Sequence, residues 1–207
     1  MVCNNSFVTA TRKYELKRRA ERQDQTRQRI VEAAVALHTT TGPARTTISA
    51  IAERAGVQRH TVYSHFPDER TLGLACSGLY AERFPLPDPE PWRTIADPER
   101  RLRRGLAEWY AYYAERGEEL LPIVRDMESH PLTRELVQLR VRPTLARACE
   151  LLAEPFHARG ARRTRLLAAI ALFLDLQTWR TLARAAADAD GDGDAALDVA
   201  VRAICAQ

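Results

Sequence analysis

Seven residues near the middle of the chain, Pro85-Leu-Pro87-Asp-Pro89-Glu-Pro91, can be neither helix nor central strand. Each proline lacks an amide hydrogen and fixes its own φ, so alternate prolines give a stiff connector with regular structure on either side. The charge balance changes at the same place. Residues 1–80 carry 12 basic and 7 acidic side chains, whereas residues 81–207 carry 19 and 20. A positive excess confined to one end suits a polyanionic partner, nucleic acid first. The sequence therefore divides into a basic N-terminal arm at 1–20, a unit at 21–84 and a larger unit at 92–207. The arm is expected to order only in its last residues or on binding DNA, and to act through phosphates.

Both units read as all-α. Of the 31 basic residues 29 are Arg, and Ala is abundant beside them; both are good helix formers. Apolar residues recur at intervals of three and four from Asp24 through Ile30, Ala34 and Leu37, up to the breaker pair Gly42-Pro43. Thr46-Thr47 offers a cap for a short helix over 48–55, Gly56 can supply a left-handed turn, and a second short helix spans 58–66. Asp68 after Pro67 caps a helix reaching about Phe84. Beyond the prolines, Asp97-Pro98-Glu99 starts a helix that Gly117 is expected to end near Arg116. A shorter segment runs to His130-Pro131. Then come 133–156, split or kinked by Pro143, one long helix over 162–187, and a last helix over 194–206. No stretch alternates as a strand would.

Several function classes are excluded. Cys3, Cys76, Cys149 and Cys205 form no CxxC pair, which fits a reducing compartment and no zinc site. The longest apolar run, 166–174, is too short to span a bilayer, and the N-terminus has no apolar signal core, so a cytoplasmic chain without membrane contact is expected. Asp188, Asp190, Asp192 and Gly193 fit the first positions of a calcium loop, but Val199 stands where its bidentate Glu belongs. They read as an acidic loop, with Asp194 as a helix cap. His38, His130 and His157 read as surface or packing residues, and no metal or cofactor is expected. No GxSxG, HExxH, P-loop or Rossmann glycine pattern is present, so the chain is not read as an enzyme.

The most informative segment is Thr47-Ile-Ser-Ala-Ile-Ala-Glu-Arg-Ala-Gly-Val-Gln-Arg-His-Thr-Val-Tyr-Ser-His-Phe66. It is helix, tight turn, helix. Ile48, Ile51, Ala52, Ala55, Val57 and Val62 can share one small core, and the two alanines let the helices cross closely. The second helix then turns Arg59, His60, Tyr63 and Ser64 outward, with no acid between Arg54 and Asp68. A helix presenting donors without carboxylates suits the DNA major groove.

These residues, with the Ala-Gly-Val turn, Thr61-Val62-Tyr63, His65-Phe66 and Leu72, resemble the DNA-binding domain of TetR-family transcriptional regulators. The resemblance covers about the first 80 residues. It implies a three-helix helix-turn-helix domain followed by a helical ligand-binding and dimerisation domain, binding double-stranded operator DNA. It also implies roles: Thr47 on a phosphate, Gln58 opening the recognition helix, Arg59, His60 and Thr61 nearest the bases, and Tyr63 and His65 on the backbone. The family commonly has Lys where this chain has Glu69, and Arg70 could supply that charge.

In the larger unit the 166–174 run must be buried on more than one face, which suits a homodimer made by the helix from Ala161 and the helix from Asp194. Trp109, Tyr110, Tyr112 and Tyr113 cluster on one helix, with Arg125, Met127, Phe173, Gln177, Thr178 and Trp179 on others. Aromatic side chains with a few polar groups suit a small-molecule pocket, for which Trp109, Tyr113, Phe173 and Gln177 are the first candidates. The expectation is a ligand-responsive regulator released as a repressor from a palindromic operator. An activator of the same family, or a helical interaction module that has lost DNA binding, is the alternative.

Overall fold

The computed structural model describes residues 6–188 and 194–206, and among these every regular element is helical. The helices are α1 (Ser6–Thr40), α2 (Ile48–Ala55), α3 (Arg59–His65), α4 (Glu69–Arg83), α5 (Pro98–Asp126), α6 (Pro131–Arg140), α7 (Arg142–Ala153), α8 (Gly160–Phe173), α9 (Leu176–Asp188) and α10 (Asp194–Cys205). Short 3-10 turns lie at Pro43–Arg45, Glu90–Thr94 and Glu154–Phe156. The acidic loop with Asp190, Asp192 and Gly193, and the side chains of Asp194, Arg12 and Lys13, lie outside the described residues.

Two cores form, one in each unit. In the first, Ile30, Val31 and Ala34 of α1 pack with Ile51, Ala52, Ala55, Val62, Phe66, Leu72 and Cys76. Ile48 and Val57 close its margin, partly buried. The second is larger and centres on Trp92, Leu102, Leu106, Trp109, Leu152, Leu166, Ile170 and Ile204. The proline segment is not a free spacer. Trp92 inserts into the second core at 1% exposure, and its indole Nε1 donates to Glu108 Oε2 at 2.8 Å. The connector is thereby fastened to the unit it leads into.

Local capping explains most boundaries. Asp68 accepts from Thr71 N at 2.6 Å and Asp97 from Arg100 N at 2.8 Å, starting α4 and α5. Pro143 sits in the first turn of α7 and separates it from α6 at Val141.

Three expectations fail for tertiary reasons. First, α1 does not begin near Asp24 but runs back to Ser6, so the basic arm is helical over its described part. Every described side chain from Tyr14 to Arg29 other than Thr26 is exposed, so no apolar periodicity announces this stretch. Second, Gly117 does not stop α5, which continues to Asp126. A Cβ at Gly117 would stand 3.2 Å from the Trp179 ring, so the glycine admits a close approach of α9. Third, 162–187 is two helices bent by 64°, not one. Asp175 Oδ1 accepts from Gln177 N at 2.9 Å and Thr178 N at 3.0 Å, and Tyr113 OH donates to the Leu174 carbonyl at 2.6 Å. Together they start α9 and satisfy an end of α8. Among the described residues no single helix is long and apolar enough to cross a membrane.

The two units meet at a polar joint. The buried carboxylate of Asp126, at the end of α5, accepts from Ala44 N at 2.9 Å and from Arg125 Nε at 2.8 Å. Arg125 Nη2 donates to the Thr41 carbonyl at 2.8 Å. Gly42, with φ +101°, leaves room for both groups; a Cβ there would lie 2.3 Å from Arg125 and 2.4 Å from Asp126. The second contact joins α4 to α6, where Gly73 seats Leu136 and Arg70 Nη2 reaches Glu135 Oε1 at 2.7 Å.

Candidate nucleic-acid interface

The α2–α3 pair is built by short-range chemistry. Thr47 Oγ1 accepts from Ala50 N at 3.1 Å and starts α2. Gly56 ends it in the left-handed region, at φ 65° and ψ 40°, and its N–H bonds the Ala52 and Glu53 carbonyls. The Val57 N–H also reaches the Ala52 carbonyl, at 3.0 Å. This turn redirects the chain so that α3 crosses α2. Val62 at 0% and Phe66 at 2% exposure anchor α3 and fix which side faces out.

The outward side carries Arg59, His60, Tyr63 and Ser64, all exposed, with Gln58 exposed just before the helix. Thr61 and His65 are half-buried at its edges. Arg59 Nη2 stands 3.4 Å from Tyr63 OH, and its guanidinium lies 5.9 Å from the centre of the Tyr63 ring. Ser64 Oγ donates to the His60 carbonyl at 2.9 Å. The face is thus donors and one aromatic.

The acids that follow point elsewhere. Hydrogen bonds from the Thr71 side chain and N–H hold Asp68 below its ordinary carboxylate range, fixing its charge in the helix cap. Glu69 Oε1 lies 3.2 Å from His130 Nε2. Thr47 is exposed beside this face. Arg70 is occupied: both its Nε and Nη2 bond Glu135 Oε1 of α6. To meet a phosphate it must leave that carboxylate.

The candidate pocket residues are only partly gathered. Trp109 and Tyr113 are buried with ring centres 5.6 Å apart, and Trp179 packs at a 48° tilt against Tyr113 at 5.8 Å. Phe173 packs half-buried against this cluster, but Gln177 is exposed on α9. Arg125 turns away from the pocket to the inter-domain joint. Trp109 Nε1 and Tyr110 OH are buried without a partner among the described residues. A cleft of about 330 Å³ opens elsewhere, lined by Arg93, Arg147, Glu150, Leu151, Glu154 and Arg163. Its arginines lie too far apart in sequence to signal a cluster. Among the described residues no group of three or more His, Cys, Asp or Glu could hold a metal ion.

Residues 30–76 match the family model described as "Bacterial regulatory proteins, tetR family". That span contains α2, α3 and the turn between them. The whole fold is shared with solved structures. One is a HlyIIR mutant with residues 169–186 replaced by a linker, 17% identical over 87% of this chain and 96% of that one, with a TM-score of 0.59. Another is a TetR-like transcriptional regulator from Rhodococcus sp. RHA1, 19% identical over 86% and 93%, with a TM-score of 0.53. A further transcriptional regulator from the same source is 17% identical over 86% and 95%, at 0.51. At these identities the likeness is one of fold. No curated protein matches the chain in sequence.

Proposed function

We propose that this chain, whose N-terminal domain is that of the tetR family of bacterial regulatory proteins, is a dimeric, ligand-responsive repressor acting in the cytoplasm on a palindromic operator. One observation carries the reading: the matched segment presents an acid-free face of Arg59, His60 and Tyr63 on a helix anchored by Val62. In this reading residues 21–84 bind DNA and residues 92–207 bind effector and partner. Gln58, Arg59, His60 and Thr61 meet base edges, whereas Thr47, Tyr63 and His65 meet the backbone. Arg70 meets a phosphate only when it has released Glu135, which ties that contact to the position of α6.

The effector reading draws on the buried Trp109–Tyr113–Trp179 cluster and the unpartnered Trp109 Nε1 and Tyr110 OH above. Phe173 would stand at the cluster's edge, and Gln177 would join only if α9 moved. Selection from a pool of random duplexes tests the function directly. A palindrome with half-site centres roughly 34–36 Å apart is the expected result. Recovery of no sequence preference would overturn the reading in favour of an interaction module.

The dimer has its own test. Leu166, Ile170 and Leu174 face the core, whereas Leu172 is 57% exposed on α8, alongside the exposed Ala168 and Ala171. An exposed apolar strip of this kind suits a second copy packed against it. Leu172→Arg should shift sedimentation from dimer to monomer at micromolar concentration while leaving the thermal midpoint of the monomer fold in place. A wild-type monomer under the same conditions would refute the interface.

A further inference from the structure

Helix α1 passes three stations along its length. Its C-terminal end meets the effector unit through the Thr41 carbonyl and Arg125. Residues Arg27 to Ala34 meet the helix-turn-helix: Arg27 lies 4.9 Å above the Phe66 ring, Arg29 lies beside Gly56, and Ile30, Val31 and Ala34 enter its core. From Ser6 to Thr26 the helix continues beyond both, for about 30 Å at 1.5 Å per residue. It therefore points away from the effector unit and past the turn before α3. The joints between the two units are made by α1, α4, α5, α6 and the turn at Pro43–Arg45, whereas Phe66, just after α3, meets α1 at Arg27, nearer the N-terminus than the joint at Thr41.

The extension is not uniformly charged. Tyr14, Arg18, Arg22, Gln25 and Arg29 are spaced by four, four, three and four, which places them on one row of the helix. All five are exposed, with the carboxylates of Glu15 and Glu21 at the two margins of the row. Arg18 lies 5.7 Å from the Tyr14 ring centre within this row. Glu21, seven residues from Tyr14 at the row's margin, lies 3.9 Å from Lys17 Nζ, which offsets its charge. The row spans about 22 Å and ends at Arg29, beside the turn that leads into α3.

We infer that this row is a second DNA-contacting surface, which follows the phosphate backbone next to, but outside, the base pairs read by α3. This rests on the DNA-binding reading above and adds to it a rigid, helical contact of defined direction. Duplex phosphates on one strand are spaced by about 3.4 Å along the axis, so the row can reach several of them. Its donors and charges match phosphate oxygens and carry no base information.

The test is hydroxyl-radical footprinting and salt titration of the full chain on its selected operator, against Arg18→Gln/Arg22→Gln. Both side chains are exposed and Gln keeps helix propensity near that of Arg, so folding should be retained, as thermal melting checks. The wild type should protect backbone positions flanking the bases read by α3, and the variant should lose that protection. The slope of log affinity against log salt should become shallower by about 3.6, since the dimer loses two phosphate contacts in each protomer and each removes about 0.9. The base preference recovered by selection should be unchanged. A wild type that protects no DNA overturns this inference and the DNA-binding reading together. A wild-type footprint and slope that the variant reproduces overturn this inference alone.

Discussion

Lowering the pH from 6.5 to 4 should remove about 3 kcal/mol of folding stability, most of it through His38. Burial pushes this imidazole down to about 4 from an ordinary 6.5, and repulsion by His130 adds to the shift while Asp126 opposes it. Its ring Nδ1 lies 3.5 Å from the buried Cys76 Sγ. Between the two values the unfolded chain holds the proton and the folded one does not. Stability is therefore complete above pH 6.5 and declines as pH falls towards 4. Asp126 acts in a lower window. Burial raises its carboxyl, but bonds from Arg125 and the Ala44 N–H outweigh that and hold it below its ordinary 3.8. Its contribution is present above 3.8 and disappears as pH falls through the folded value. Urea denaturation at pH 4.5 and 7 should show the larger difference in the wild type, and His38→Gln should flatten it. A His38→Gln protein with the wild-type pH dependence would remove His38 as the cause.

Arg59→Ala and Tyr63→Phe should fail in different ways. An arginine paired with a guanine edge is worth roughly 1–3 kcal/mol of discrimination, about 5- to 150-fold. Arg59→Ala should therefore weaken the operator more than random DNA and relax one base pair in each half-site. Tyr63→Phe removes a hydroxyl expected on the backbone, so operator and random DNA should weaken alike. Tyr63 is 45% exposed and Val62 does the anchoring, so neither substitution should lower the melting temperature appreciably. The two side chains also touch each other, which predicts a coupling between them in the double variant. Unchanged base preference for Arg59→Ala across operator variants would mean that another face reads the sequence.

What the sequence revealed was local. Thr47, Gly56, Asp68 and Asp97 each act within four residues of their own position, so caps and turn could be read off the chain. The proline run and Pro143 marked breaks for the same reason. What it concealed depended on distant partners. Gly117 looks like a stop until Trp179 is placed over it, and Asp175 looks like part of a helix until Tyr113 takes the Leu174 carbonyl. Glu135, which occupies Arg70, is 65 residues away. The exposed half of α1 has no apolar period to find, because its described side chains from Tyr14 to Arg29, other than Thr26, face solvent. The outward residues of α3 were legible because they share a short helix; the pocket candidates, spread over α5, α8 and α9, were not brought together by any pattern.

In the proposed ligand response, the joint at Asp126 would make α5 a lever. Its fulcrum would be Gly105, where a Cβ would stand 2.6 Å from Leu152 and 3.1 Å from Trp92, so the backbone is seated hard against its neighbours. From the fulcrum to Asp126 the arm is about 32 Å long. A tilt of about 6° carries its tip roughly 3.3 Å, close to the axial rise of one base pair. The tip is fastened to Thr41 and Ala44, only a few residues ahead of Thr47. In the proposed regulator, a displacement that would be trivial inside the larger core would therefore arrive at the entrance to α2 and α3 as a whole step of the double helix.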